Sequence, residues 1–303
     1  METFGTMFYA AFFFIIVGLS FKISTIPFHM WAPDVYQGAP TAVTAFLSVV
    51  SKAAGFAMLL RVVFTAFAWV SYQGGNEYKV FLQEAAVYIG VLSALSMIVG
   101  NVMALRQINV KRMMAYSAIA QAGYILVPLA AFNALMIDEM IFYLFAYLFM
   151  NLGVFAVIDA VTKERGTEEI RAFAGMYHRS PYLAIGMTLL LFSLAGFPVT
   201  AGFSGKVYIL LGALLNQKNI WLAAILIVTS LISYYYYFGI IRQMYMRPGH
   251  TEVPLKVHPA VLAVVVIGVI GTLIGGFFPG QVLHFIQDQF GSNSLFQMFD
   301  GKF

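Results

Sequence analysis

Apolar residues fill this chain in long unbroken runs, with neither the alternation of a half-buried strand nor the single stripe of a surface helix. A helix needs roughly 20 apolar residues to cross a bilayer core of about 30 Å. Eight runs reach that length, at approximately 5–21, 40–70, 82–104, 113–132, 135–160, 181–211, 219–246 and 259–280. Phe, Leu, Ile, Val, Ala and Gly make each run apolar all round. The predicted fold class is an all-α membrane protein of about eight transmembrane helices. The longest connection, Val161 to Ser180, mixes charges with an amphipathic turn, Ile170–Ala174, that suits an interface. The tail from Gln281 to Phe303 is polar and aromatic, and is expected at the opposite surface.

Composition sharpens this picture. Of 303 residues, 61% are hydrophobic and 10% charged, whereas soluble domains carry about 25% charged residues. An ordinary soluble enzyme is excluded. Seventeen basic and 13 acidic residues leave a net charge of +4, too dilute for a nucleic-acid surface. Cysteine is absent, so there is no disulfide framework, thiolate metal site or thiol nucleophile. The first run lacks a basic leader and a small-residue cleavage site, so it reads as a span and not as a signal peptide.

Lysines and arginines in the connections predict orientation. One side collects Arg106, Lys111, Arg112, Lys163, Arg165, Arg171, Arg179, Arg242, Arg247 and Lys256. The other holds Lys79, Lys218 and Lys302, with Arg61 near its end of the second run. The first set is expected in the cytoplasm, with both termini outside.

Three further lysines, Lys22, Lys52 and Lys206, lie within or beside the apolar runs. A lysine at a helix centre costs about 2.5–3.5 kcal/mol on insertion scales and usually faces a protein interior or a wet cavity. Lys52 lies roughly 18 Å along a helix from Pro40, close to mid-bilayer. Snorkelling to the interface is the bland alternative, and from that depth the reach is poor. Lys22 and Lys206 each neighbour a helix interruption, Lys22-Ile23-Ser24-Thr25-Ile26-Pro27 and Gly196-Phe197-Pro198 to Lys206. Proline removes a donor and clashes with the preceding turn. Irregular backbone at membrane depth must line protein or water. The breaks fall five crossings apart, so they run in opposite directions, as in transporters built from inverted repeats. Common Pro and Gly in membrane helices is the competing explanation.

Burial disfavours the charged form of an amine, so a buried lysine can take up and release a proton. His29 is a second candidate, either for proton uptake or as a structural residue. Asp159, Glu84, Asp138 and Glu139 fall at the ends of runs, where solvation explains them. Tyr234–Tyr237 is either an aromatic packing cluster or the lining of a wet path.

At these residues the sequence resembles a known family. Phe21-Lys22-Ile23-Ser24-Thr25-Ile26-Pro27-Phe28-His29-Met30-Trp31-Ala32-Pro33-Asp34-Val35-Tyr36-Gln37-Gly38-Ala39-Pro40-Thr41 resembles the hallmark segment of the antiporter-like subunits of respiratory complex I, the proton-translocating NADH–quinone oxidoreductase. Its Asp-Val-Tyr-Gln-Gly-Ala-Pro wording favours the subunit N family over the related L and M families and the multisubunit sodium/proton antiporters. Val110-Lys111-Arg112-Met113-Met114-Ala115-Tyr116-Ser117 to Gly123-Tyr124, and Ser193-Leu194-Ala195-Gly196-Phe197-Pro198 to Gly205-Lys206, extend the match. It runs from near residue 5 to about 250.

The resemblance implies that Lys22 is the lysine of the family's broken seventh helix, Lys52 the connecting lysine of the eighth, and Lys206 the terminal lysine of the broken twelfth. These three are the expected catalytic residues for proton transfer, with His29 a weaker candidate. Residues 1–250 would form the proton-translocating domain, and 251–303 the last helix and tail. The family's first six helices, with the glutamate that pairs with the first lysine, are expected outside this chain.

The expected function is that of a membrane-arm subunit coupling electron transfer from NADH to quinone to proton translocation, located in the bacterial plasma membrane. Such a subunit belongs to an enzyme but does no redox chemistry itself. No Gly-x-Gly-x-x-Gly motif follows a strand and there is no cysteine ligand. No cofactor or metal is expected on this chain; NADH, flavin, iron–sulfur clusters and quinone would sit in partner subunits. Expected partners are other membrane-arm subunits, the bilayer and a separately encoded N-terminal half. The alternatives are a sodium/proton antiporter subunit and a truncated structural or assembly subunit.

Overall fold

A computed structural model describes residues 2–67, 70–74, 77–132, 135–215, 219–249, 254–255 and 257–290. Lys218, Lys256, Lys302 and the tail 291–303 lie outside the described residues.

The chain is a bundle of helices in the order the apolar runs predict. Helix α1 (Glu2–Ile23) is followed by α2 (Trp31–Gly38). Next comes one continuous span, Thr41–Phe67, made of α3 (Thr41–Phe46), a π-helical turn (Leu47–Ser51), α4 (Lys52–Val62) and a second π-helical turn (Val63–Phe67). Strands β1 (Ser71–Gly74) and β2 (Glu77–Val80) pair antiparallel, with Ser71 opposite Val80. Then follow α5 (Phe81–Ala104), α6 (Val110–Ala131) and α7 (Met136–Arg165), a 3₁₀ turn at Ile170–Phe173, and α8 (Met176–Arg179). The last elements are α9 (Pro181–Ala195), α10 (Ala201–Leu215), α11 (Ile220–Met246), α12 (Pro259–Phe277) and α13 (Pro279–Phe290). Among the described residues, six helices are long and apolar enough to cross a membrane, and the apolar part of α1 and the α9–α10 pair supply shorter ones.

Helix ends follow local chemistry. Asn109 caps α6 by accepting from the Arg112 N–H at 3.0 Å. Pro181 and Pro259 occupy the first turns of α9 and α12, where a missing N–H costs nothing. Gly166 stops α7 in the left-handed conformation (φ 64°).

Both predicted interruptions are present. Ser24 (φ 61°) follows the end of α1, and Gly196 (φ 92°) and Val199 (φ 72°) separate α9 from α10.

The centre of the bundle is α6, whose apolar window is wholly covered by protein. Glycines let α5 lie against it. A Cβ at Gly100 would come within 2.7 Å of the Ala120 nitrogen, and one at Gly123 within 2.8 Å of the Met97 nitrogen. Such small-residue contacts replace hydrophobic burial as the source of helix packing in lipid. The outer faces carry exposed Phe14, Val87, Ile227, Leu231 and Ile267, suited to acyl chains.

On the side with the basic connections, ion pairs tie loops to helix ends. Lys111 meets Glu168 at 2.5 Å and donates to the Ala39 carbonyl at 2.7 Å. Arg112 meets Asp34 at 2.5 Å, and Arg179 pairs with Glu164. Two elements differ from the sequence reading. The Ser71–Lys79 connection is a β-hairpin. Much of the tail from Gln281 is helical, as α13.

Candidate functional site

Lys52 opens α4 directly after the π-helical turn. Such turns insert an extra residue into a helical turn and often mark functional positions. The side chain is 1% exposed and does not snorkel. Its Nζ donates to the carbonyl of Ala118 on α6 at 2.6 Å.

Lys206 sits on the first turns of α10 and is 5% exposed. Its Nζ donates to the carbonyls of Leu194 (3.1 Å) and Ala195 (2.9 Å). These belong to the last turn of α9, whose carbonyls have no partner further along the helix because the helix stops at Gly196. The partial negative charge of a helix C-terminus favours an ammonium there. The Nζ also lies 4.9 Å from the centroid of the Tyr124 ring, within cation–π range. Gly196 makes the approach possible, since a Cβ there would stand 3.0 Å from Lys206 Cδ and 3.3 Å from its Nζ.

A glutamine on the helix that accepts from Lys52 reaches the acceptor of Lys206. Gln121 lies three residues beyond Ala118 on α6, hence on the same face. Its Nε2 donates to the Leu194 carbonyl at 3.3 Å, the oxygen that also accepts from Lys206. Its Oε1 accepts from the Tyr143 hydroxyl at 2.5 Å. The Tyr237 hydroxyl lies 3.4 Å from Gln121 Nε2 and 2.5 Å from Ser117 Oγ. Around this link, Tyr236 donates to Asn101 (3.0 Å) and Asn101 donates to the Tyr124 hydroxyl (3.0 Å). Asn151 donates to Ser48, on the π-helical turn, at 2.8 Å. Buried polar groups require such partners, and here they find them in one another and in backbone carbonyls inside an otherwise apolar bundle.

The candidates therefore separate. Lys52 bonds to α6 at Ala118, and Lys206 shares the Leu194 carbonyl with Gln121 one turn along the same helix. Lys22, on the last turn of α1, is exposed, although it flanks α4, with its Cγ 3.4 Å from where a Gly55 Cβ would lie. His29 is half-buried in the turn before α2 and lies outside the hydrogen-bonded chain just described. Tyr234 donates to the Gly196 carbonyl at 3.0 Å. The tyrosine run thus supplies hydroxyls to the network as well as packing.

The sequence reading missed Gln121, Asn101, Asn151 and Tyr143. A signal existed for three of them, because an uncharged amide inside an apolar span needs a buried partner as a charge does. Asp138 and Glu139, read as solvated, are 2% and 4% exposed. Asp159 pairs with Lys163 at 2.7 Å, and Glu84 accepts from Tyr9 at 2.9 Å. Among the described residues, no cluster of His, Asp and Glu could hold a metal ion.

A multi-pass helical membrane protein with two interrupted segments and a buried lysine-containing polar band is an antiporter-like fold. The chain belongs to the NADH:quinone oxidoreductase/Mrp antiporter transmembrane family, whose pattern matches residues 2–233. It is 57% identical over 282 residues to NADH-quinone oxidoreductase subunit N of Brevibacillus brevis, covering 93% of this chain and 55% of that protein. It is 50% identical over 278 residues to the subunit of the same name from Geobacillus sp. WCH70, covering 91% and 56%. The chain thus spans about half the length of the curated relatives it matches. Among solved structures, it resembles respiratory complex I from Thermus thermophilus with bound aureothin at 36% identity and a TM-score of 0.72, covering 88% of this chain and 56% of that one. The Mrp complex from Dietzia shares the fold at 20% identity and a TM-score of 0.75, covering 88% and 55%.

Proposed function

We propose that this chain is part of subunit N of a bacterial NADH–quinone oxidoreductase, and that it carries protons across the membrane while partner subunits reduce quinone. The observation that carries this reading is the shared Leu194 carbonyl, which receives hydrogen bonds from Lys206 and from Gln121, one turn from the Ala118 carbonyl that holds Lys52. Lys52 thus touches α6 directly, and Lys206 meets the same buried helix through the carbonyl it shares with Gln121. A proton arriving at Lys52 favours departure of the proton on Lys206 by like-charge repulsion, which is stronger where water is excluded.

Lys22 extends the path at its exposed end, where a further chain segment or partner can cover it. His29 would serve uptake from the side that carries Lys111 and Arg112. That side is the cytoplasm by the bias of basic residues, which sets both termini outside. Residues 1–250 hold all of these groups. NADH, flavin, iron–sulfur clusters and quinone belong to partner subunits of the membrane and redox arms, and the chain itself performs no redox step.

A sodium/proton antiporter subunit could use the same lysines without a redox partner. The test is Lys206→Ala in membranes that contain the assembled oxidoreductase. The expected result is a lower membrane potential per quinone reduced, with no sodium-driven proton movement in the parent when quinone turnover is blocked. Unchanged coupling in Lys206→Ala would overturn the proton role, and sodium-driven exchange without turnover would favour the antiporter.

A further inference from the structure

Helix α11 carries two polar side chains, Tyr236 and Thr229, about two turns apart, and between them they close a ring of hydrogen bonds. The Tyr236 hydroxyl donates to Asn101 Oδ1 on α5 at 3.0 Å. Asn101 Nδ2 donates to the Tyr124 hydroxyl on α6 at 3.0 Å and to the Met97 carbonyl at 2.7 Å. The Tyr124 hydroxyl donates to Thr229 Oγ1 at 3.3 Å, which returns the chain of bonds to α11. Asn101 thereby uses both of its N–H donors and its carbonyl. All four side chains are buried, Asn101 and Tyr124 at 0% exposure, so the phenol is held at its far end from two sides.

The simplest role of this ring of bonds is to tie three helices together. That role does not account for what lies on the face of the phenol. Lys206 Nζ stands 4.9 Å from the Tyr124 ring centroid, while the hydroxyl at the ring's edge is committed to Asn101 and Thr229. Two acceptors of the Lys206 amine are the Leu194 and Ala195 carbonyls, and an ammonium has a third donor. Among the described residues, no carboxylate forms an ion pair with Lys206. The π face of an aromatic ring attracts a cation most where water is excluded, and has no comparable hold on a neutral amine.

We propose that the face of Tyr124 is the seat of the Lys206 ammonium, and that Asn101 is the positioning residue that keeps the ring in place beside it. This deepens the reading of Lys206 as a proton carrier and rests on it. While Lys206 carries its proton, the α9 carbonyls and the ring hold the charge. When the proton leaves, the neutral amine loses the attraction of the ring, and reloading restores it. Tyr124 neither gains nor loses a proton, because its own hydroxyl proton lies on Thr229.

The test uses the assembled oxidoreductase in membrane vesicles, reading protons moved per quinone reduced. The variants are Tyr124→Phe, the same substitution with one, two or three fluorines on the introduced ring, and Tyr124→Leu, beside Lys206→Ala. Fluorine withdraws electrons from the ring face and barely changes its size. A purely structural ring tolerates it, whereas a cation seat weakens with each fluorine. The expected result is a stepwise fall from Tyr124→Phe through the fluorinated series, with Tyr124→Leu reaching the ratio of Lys206→Ala. Parent pumping in Tyr124→Leu, or an equal ratio throughout the fluorinated series, overturns the seat. If Tyr124→Leu does not assemble, the fluorinated series decides alone. Asn101→Ala should lower the ratio in the parent but no further in Tyr124→Phe, which leaves it no hydroxyl to hold. An equal loss in both backgrounds overturns its positioning role. Full pumping in Lys206→Ala overturns the underlying reading instead, so the failures are distinguishable.

Discussion

Lys52 shows how much one residue reveals. A lysine twelve positions into an apolar run is costly wherever it points, and that cost alone singles it out in the sequence. Its acceptor, the Ala118 carbonyl, has no signature in the sequence, because every residue has a carbonyl. Gln121 is the intermediate case. It is visible as an amide in an apolar run, yet its importance comes from α9 ending beside it. Gly196 carries a prediction at this scale. Its φ of 92° suits glycine, and a Cβ there would press on Lys206. Gly196→Ala should lower stability by about 1–2 kcal/mol, the cost of a left-handed L-residue. It should also reduce coupling, read as an earlier thermal unfolding midpoint of the purified complex together with a lower membrane potential per quinone reduced. Parent behaviour in both would mean that the tight Gly196–Lys206 contact is unimportant.

At the scale of elements, the apolar runs locate the spans well because length and all-round apolarity are what a bilayer demands. Both breaks are legible from proline and glycine beside a lysine. Three kinds of element are not. The π-helical turns at Leu47–Ser51 and Val63–Phe67 change hydrogen-bond register without changing apolarity. The hairpin Ser71–Val80 is held by backbone pairing over two four-residue strands, too short to show a period. Helix α13 is a 12-residue amphipathic segment, and its polar face reads as a tail. The element that most needs testing is the α6–α9 junction. Gln121→Leu keeps a comparable volume but removes the donor to Leu194 and the acceptor for Tyr143. Coupling should drop while quinone reduction persists, and unchanged coupling would count against Gln121 as a link between Lys52 and Lys206.

At the scale of the whole molecule, the arrangement of helices places the basic connections at one end and the hairpin, the start of α7 and α13 at the other. The absence of cysteine makes this simple to check by labelling. A cysteine at Lys163, whose side chain is 75% exposed, and one at Phe285, 59% exposed, should react with an impermeant maleimide from opposite sides of sealed vesicles. Reaction from one side for both would contradict the eight-span topology.

The lysine path itself is tested most directly by Lys52→Arg. Arginine keeps a positive charge and a comparable length, but it stays protonated at any working pH. It can hold the Ala118 carbonyl and cannot readily give a proton away. The measurement is membrane potential generated per quinone reduced, in complexes shown to contain the variant chain. A relay through Lys52 predicts that this ratio falls as far in Lys52→Arg as in Lys52→Ala. An arginine variant that pumps as the parent does would contradict the lysine as a proton carrier and leave it a structural charge.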